Sequence, residues 1–248
     1  VRFPSCGVCH AEVPGTKRRG TLPLGLTGRL DVRFKDRRDA GRQLAERLLE
    51  SHWHDPVVLA LPRGGVPVAF EIAKALGAPL DVVAARKVGA PGHPEFGVGA
   101  IGEGGAVVAS EAALRRLGLT ITAFTQLAAR EQPELERQVQ LYRGARVLPE
   151  MDDRDVVVVD DGFATGVTAE AALRSLARTK ARRLVLAVPT CAPGAARRLA
   201  GSADDVVCLV EPTRFEAVGQ AYEDFSQVTD DEVLRLLACA NRSERVGP

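Results

Sequence analysis

Four consecutive valines, Val156 to Val159, run directly into two aspartates, Asp160 and Asp161. No other stretch constrains the chain as much. Four β-branched residues in a row read as a strand buried on both faces. A strand covered on both sides belongs in a sheet between helical layers, so the run predicts an α/β fold. The small-residue turn Ala164-Thr165-Gly166-Val167-Thr168 then opens a helical pattern over residues 169–178. Such a turn aims several backbone N–H groups at one spot, and the helix dipole adds partial positive charge there. Thr165 and Thr168 add hydroxyl donors, and Gly166 lets the backbone approach closely. That spot suits a phosphate. The carboxylates would repel a phosphate at contact, but one sugar length away they would accept hydrogen bonds from ribose hydroxyls. The local chemistry points to a ribose 5-phosphate held by strand end, turn and helix start.

The same unit occurs earlier. Residues 57–61 read as a buried strand, Pro62-Arg63-Gly64-Gly65 as a turn, and residues 66–76 as a helix. One arginine and two glycines in that turn suit a pyrophosphate. Residues 80–85 form the next strand, with Arg86 and Lys87 at its end, and further strands fall at 183–188 and 206–210. Repeated strand–helix alternation implies a mostly parallel sheet flanked by helices, joined by right-handed crossovers. Ligands gather at the carboxyl ends of such strands, where Arg63, Arg86, Asp160 and Asp161 would converge.

Asp36 is placed to cap a helix through about residue 51. Residues 88–105 show little regular pattern, with seven glycines and two prolines, although 97–101 and 106–109 suit a short hairpin. So long a loop in a compact domain is usually functional, often a lid. Helices are expected at 110–117 and 122–143, the second kinked or split by Pro133. Thr229 and Glu232 form a capping box for a last helix over 230–240, preceded by Phe215, Tyr222 and Phe225. These aromatics either stack on a planar ligand or pack that helix onto the domain.

The net charge of +1 supplies no field toward nucleic acid or an anionic membrane, and no apolar run approaches the length of a membrane span. Five scattered cysteines fit a reducing cytoplasm, and the N-terminus has no apolar signal core. Residues 1–33 lack any period and are expected as a flexible extension, followed by a domain over 34–241 and a tail at 242–248. Cys6, Cys9 and His10 have the spacing of half a zinc site. A structural site needs four ligands, and no second cysteine pair exists, so no protein metal site is expected.

The run Val156-Val157-Val158-Val159-Asp160-Asp161-Gly162-Phe163-Ala164-Thr165-Gly166-Val167-Thr168 resembles the phosphoribosyl pyrophosphate motif of the type I phosphoribosyltransferases. The Arg63 turn matches that family's pyrophosphate loop, which carries a non-proline cis peptide; here the bond would be Pro62–Arg63. The resemblance covers about residues 34–241. It implies transfer of a 5-phosphoribosyl group from phosphoribosyl pyrophosphate to a nitrogen acceptor, a nucleobase, with pyrophosphate leaving. It implies Mg²⁺ held mainly by pyrophosphate and ribose oxygens. Ala164, Thr165, Gly166, Val167 and Thr168 would hold the 5-phosphate, and Asp160 and Asp161 the ribose. Arg63, Gly64, Gly65, Arg86 and Lys87 would hold pyrophosphate. It also implies a mobile loop over the reacting centre and a small hood for the base, here about 211–241. Family members are commonly dimers, so a homodimer is the assembly it implies, though no dimer face stands out from the core pattern.

Enzymes for 6-oxopurines carry an aspartate where this chain has Ala164. The motif resembles the adenine enzyme's version instead, which draws an acid from its mobile loop, making Glu95 or Glu103 the candidate. Residues 122–143 have no counterpart in the short base-salvage enzymes, and the pattern is closest to uncharacterised members. The alternative is a non-catalytic sensor of phosphoribosyl pyrophosphate, which would carry a DNA-binding unit or a basic face; neither is evident. A third reading is a hydrolase or phosphorylase of a phosphoribosyl compound.

Overall fold

A computed structural model describes residues 33–243. The Cys6–Cys9–His10 pattern, the rest of residues 1–32 and the tail 244–248 lie outside the described residues. The strands are Val57–Ala60 (β1), Leu80–Val82 (β2), Ala85–Ala90 (β3), His93–Gly102 (β4), Ala106–Ala109 (β5), Asp155–Val159 (β6), Arg183–Thr190 (β7) and Asp205–Val210 (β8). The helices are Arg37–Leu49 (α1), Gly65–Leu76 (α2), Glu111–Leu117 (α3), Ile121–Arg143 (α4), Val167–Leu176 (α5), Ala195–Leu199 (α6) and Asp230–Ser243 (α7). Among the described residues no helix is long and apolar enough to cross a membrane.

Five strands form a parallel sheet in the order β2-β1-β6-β7-β8. The valine strand β6 is central. Successive residues face opposite layers. Val57, Leu59, Val156 and Val158 pack under α5 and α6, through Leu173, Leu176 and Leu199. Val58, Ala60, Val157 and Val159 pack under α1, α2 and α7, through Leu44, Ile72 and Leu236. Each fully buried Val or Leu contributes about 1.5–3 kcal/mol relative to exposure. The chain runs outward from β1 to β2 and, on the other side, from β6 to β7 and β8. The order therefore reverses between β1 and β6, and that switch point opens a crevice at the strands' carboxyl ends.

The segment 88–105 departs from expectation. It is not a structureless loop but most of a second, antiparallel sheet in the order β3-β4-β5. The anticipated hairpin forms, with Gly99 opposite Ala109 and Ile101 opposite Val107, and β3 extends it through a turn at Pro91-Gly92. α3 and α4 cover this sheet through Leu114, Phe124 and Leu135. α4 runs as one 23-residue helix with Pro133 inside it, rather than as two. At its end Arg143, buried, donates to both Glu103 oxygens at 2.7 and 2.8 Å and to the Val82 carbonyl at 2.5 Å. Asp81 lies 4.0 Å away and 3.4 Å from Arg146. This cluster clasps β2, the end of β4 and α4 together.

Candidate functional site

The loops after β1 and β6 start side by side, since Ala60 is in register with Val159. The Pro62–Arg63 peptide bond is cis. Leu61 N–H donates to the Val159 carbonyl at 2.8 Å, which seats the first loop on the second. A Cβ on Gly64 would lie 2.0 Å from Asp161 Oδ2, and one on Gly65 would lie 2.6 Å from the Val159 oxygen. Only glycine lets the two loops close to this distance. Beyond the carboxylates, Phe163 bridges to Cys191 and anchors the turn on β7. Gly166, at φ +73°, precedes α5 and accepts from Glu170 N–H at 2.8 Å. Ala164 and Thr165 are exposed; Val167 and Thr168 are half-buried.

Asp160 Oδ1 accepts the Asp161 backbone N–H at 2.8 Å. Asp161 Oδ2 accepts from Arg37 Nε at 2.8 Å. Burial raises both carboxyl pKa values above the ordinary 3.8; repulsion by Asp161 adds to the rise at Asp160, whereas Arg37 opposes it at Asp161. Arg37 was not legible as a site residue: its partner lies 124 positions away, and nothing in the first turn of α1 signals the pairing. Tyr222 is likewise committed. Its ring is buried between Phe34 and Phe225, at 5.5 and 5.0 Å, and its hydroxyl donates to the Asp161 carbonyl at 2.6 Å. Tyr222 packs in a cluster with Phe34, Ala40 and Val210, and not against α7 as expected. α7 packs on α2, and only its first residue, Asp230, reaches the site cleft.

A cleft of about 800 Å³ runs beside these loops. Arg63, Arg86, Lys87 and Thr168 line it, which brings together both motifs and the basic pair. Arg86 is paired with Glu131 at 2.9 Å and lies 3.8 Å from Glu134. α4 supplies Arg130 and Arg137 as well, which sequence reasoning had placed on a helix without assigning them to a site. Their spacing of seven is the signal that was available. Glu103 is corrected: it is locked on Arg143 and on the Ala84 N–H at 2.6 Å, so it is not a loop acid for a base. Glu95 belongs to β4, but its side chain lies outside the described residues.

A glycine-containing loop and an acidic strand end therefore meet at the switch point of a parallel sheet, the place where open α/β sheets gather their ligands. The sequence profile of the phosphoribosyl transferase domain matches residues 34–225. A Mycobacterium tuberculosis protein named "Putative phosphoribosyl transferase Rv0571c" is 47% identical over 209 residues, 84% of this chain and 47% of its own length. The counterpart in a second strain of that organism matches equally. The crystal structure of TT1426 from Thermus thermophilus is 48% identical, covers 83% of this chain and 98% of that one, and superposes with a TM-score of 0.70. The chain belongs to the phosphoribosyl transferase family. It spans about half the length of the curated relatives it matches.

Proposed function

We propose that this chain transfers a 5-phosphoribosyl group from phosphoribosyl pyrophosphate to a nitrogen acceptor of the nucleobase class, releasing pyrophosphate. The observation that carries the reading is the contact of Gly64 with Asp161, which joins a diphosphate-type loop to a ribose-type carboxylate pair. Thr165, Gly166, Val167 and Thr168 offer N–H and hydroxyl donors to the 5-phosphate, beside the backbone of Ala164. Asp160 and Asp161 accept from the ribose hydroxyls. Arg63, Gly64, Gly65, Arg86 and Lys87 stabilise the departing diphosphate as its charge develops. Positioning of this kind contributes about 7–11 kcal/mol of barrier reduction in favourable cases.

Mg²⁺ belongs to this reading as a partner of the substrate, where it would neutralise diphosphate charge. On this reading its ligands would be chiefly pyrophosphate and ribose oxygens. The test is pyrophosphate release from phosphoribosyl pyrophosphate and Mg²⁺ across purines, pyrimidines and simple amines. Release that depends on one acceptor is the expected result. Release without any acceptor would point to hydrolysis, and tight binding without release to a sensor.

A further inference from the structure

The cleft is larger than a diphosphate requires; about 800 Å³ is the size that takes a whole small-molecule ligand. One side of it is α4. Glu131, Glu134, Gln138 and Tyr142 follow at steps of three, four and four, which makes one helical face. The charges on that side are not equivalent. Glu131 pairs with Arg86 at 2.9 Å and Glu134 with Arg137 at 2.7 Å. Arg130 is exposed to the cleft and has no carboxylate within pairing distance among the described residues. A guanidinium presents five N–H donors in a fork that matches phosphate oxygens.

Tyr142 acts at one remove. Its ring is buried and its hydroxyl donates to Asp230, whose Oδ1 lies 3.7 Å from Arg63 Nη1. Asp230 is itself fixed at the start of α7, where Thr229 accepts the Glu232 N–H at 3.2 Å. An anchored carboxylate beside Arg63 limits the conformations its long side chain samples, and so lowers the entropy lost when an anion arrives. On the phosphoribosyl-transfer reading, we infer that α4 is a wall of the leaving-group site. Arg130 touches the departing diphosphate, and Tyr142, through Asp230, is a positioning residue for Arg63.

The test is calorimetric titration of the full chain with inorganic pyrophosphate plus Mg²⁺, and separately with phosphoribosyl pyrophosphate and with ribose 5-phosphate. Arg130→Gln is expected to weaken pyrophosphate about ten- to hundredfold, and Arg130→Lys to recover part of that loss. Tyr142→Phe is expected to weaken pyrophosphate severalfold. Ribose 5-phosphate, which lacks the leaving group, should bind both variants as it binds the unsubstituted chain. Folded variants with unchanged pyrophosphate affinity would overturn the role of α4, as would equal losses for pyrophosphate and ribose 5-phosphate. An unsubstituted chain that binds neither pyrophosphate nor phosphoribosyl pyrophosphate would overturn the transferase reading itself.

Discussion

The two sheets use glycine in different places. In the five-stranded sheet glycines follow the strands, at Gly64 and Gly65 after β1 and at Gly162 and Gly166 after β6. In the three-stranded sheet they lie within the strands, at Gly89 in β3 and at Gly97, Gly99 and Gly102 in β4. There they make room. A Cβ on Gly99 would lie 2.2 Å from the Val108 oxygen and 2.5 Å from the Phe124 ring, and one on Gly102 would lie 2.6 Å from the Ala171 oxygen. The first sheet uses its glycines to bring the loops at its strand ends into contact, and the second to let α4 and α5 close over it. A glycine-rich stretch is therefore not by itself a lid.

If the second sheet is held by close packing, its clasp should matter most. Arg143→Ala leaves Glu103 and Asp81 without their buried partner. Removing one member of a buried ion pair costs about 3–5 kcal/mol. Guanidinium unfolding should show a loss of that size, and hydrogen exchange should place its onset in β3–β5 and α4. A loss below about 1 kcal/mol would mean that apolar packing alone joins the two sheets.

The contrast also marks what could be read from sequence. The parallel strands were legible as short apolar runs, with loop residues of definite chemistry after β1 and β6. The run 80–85 instead divides between β2 and β3, so Arg86 and Lys87 lie within a strand of the second sheet and not at the end of a parallel one. The cis bond was expected only through the family resemblance of the Arg63 turn, and the meeting of both loops through their place at the ends of parallel strands. The antiparallel sheet was legible only as one hairpin, because glycine carries no side chain to display a period-two pattern and lowers strand propensity. Arg37 and Asp230 were not assigned because their roles depend on partners distant in sequence. Such pairings are set by the fold, and no local pattern records them.

Next in size is the contact that joins the two motifs. Gly64→Ala puts a methyl group against a carboxylate that Arg37 already pins. Overpacking of this kind costs about 1–3 kcal/mol. Because the clash lies at the binding rim, affinity for phosphoribosyl pyrophosphate should fall together with stability. Gly99→Ala should instead lower stability and leave the affinity of the folded fraction unchanged. Equal effects of both variants on affinity would erase the functional distinction between the sheets.

The smallest effect concerns pH, and here one residue should give two opposite slopes. Burial and Asp161 raise the Asp160 pKa above 3.8, so the folded chain holds that proton more firmly than the unfolded chain. Its contribution to stability is therefore greatest at low pH. It declines as pH rises from about 4 through the raised value, by at most about 1.4 kcal/mol per pH unit. Asp160→Asn removes that slope, so the variant should gain on the unsubstituted chain as pH rises through this window. Ribose recognition needs the carboxylate, so affinity for phosphoribosyl pyrophosphate should strengthen over the same window. Asp81, raised by burial in the clasp of the second sheet, faces no ligand loop and should contribute only to the stability curve. Parallel pH profiles of melting and binding, measured on the unsubstituted chain and on Asp160→Asn, separate the two. If binding shows no slope that the variant removes, Asp160 is a structural acid and the ribose contact belongs elsewhere on the rim.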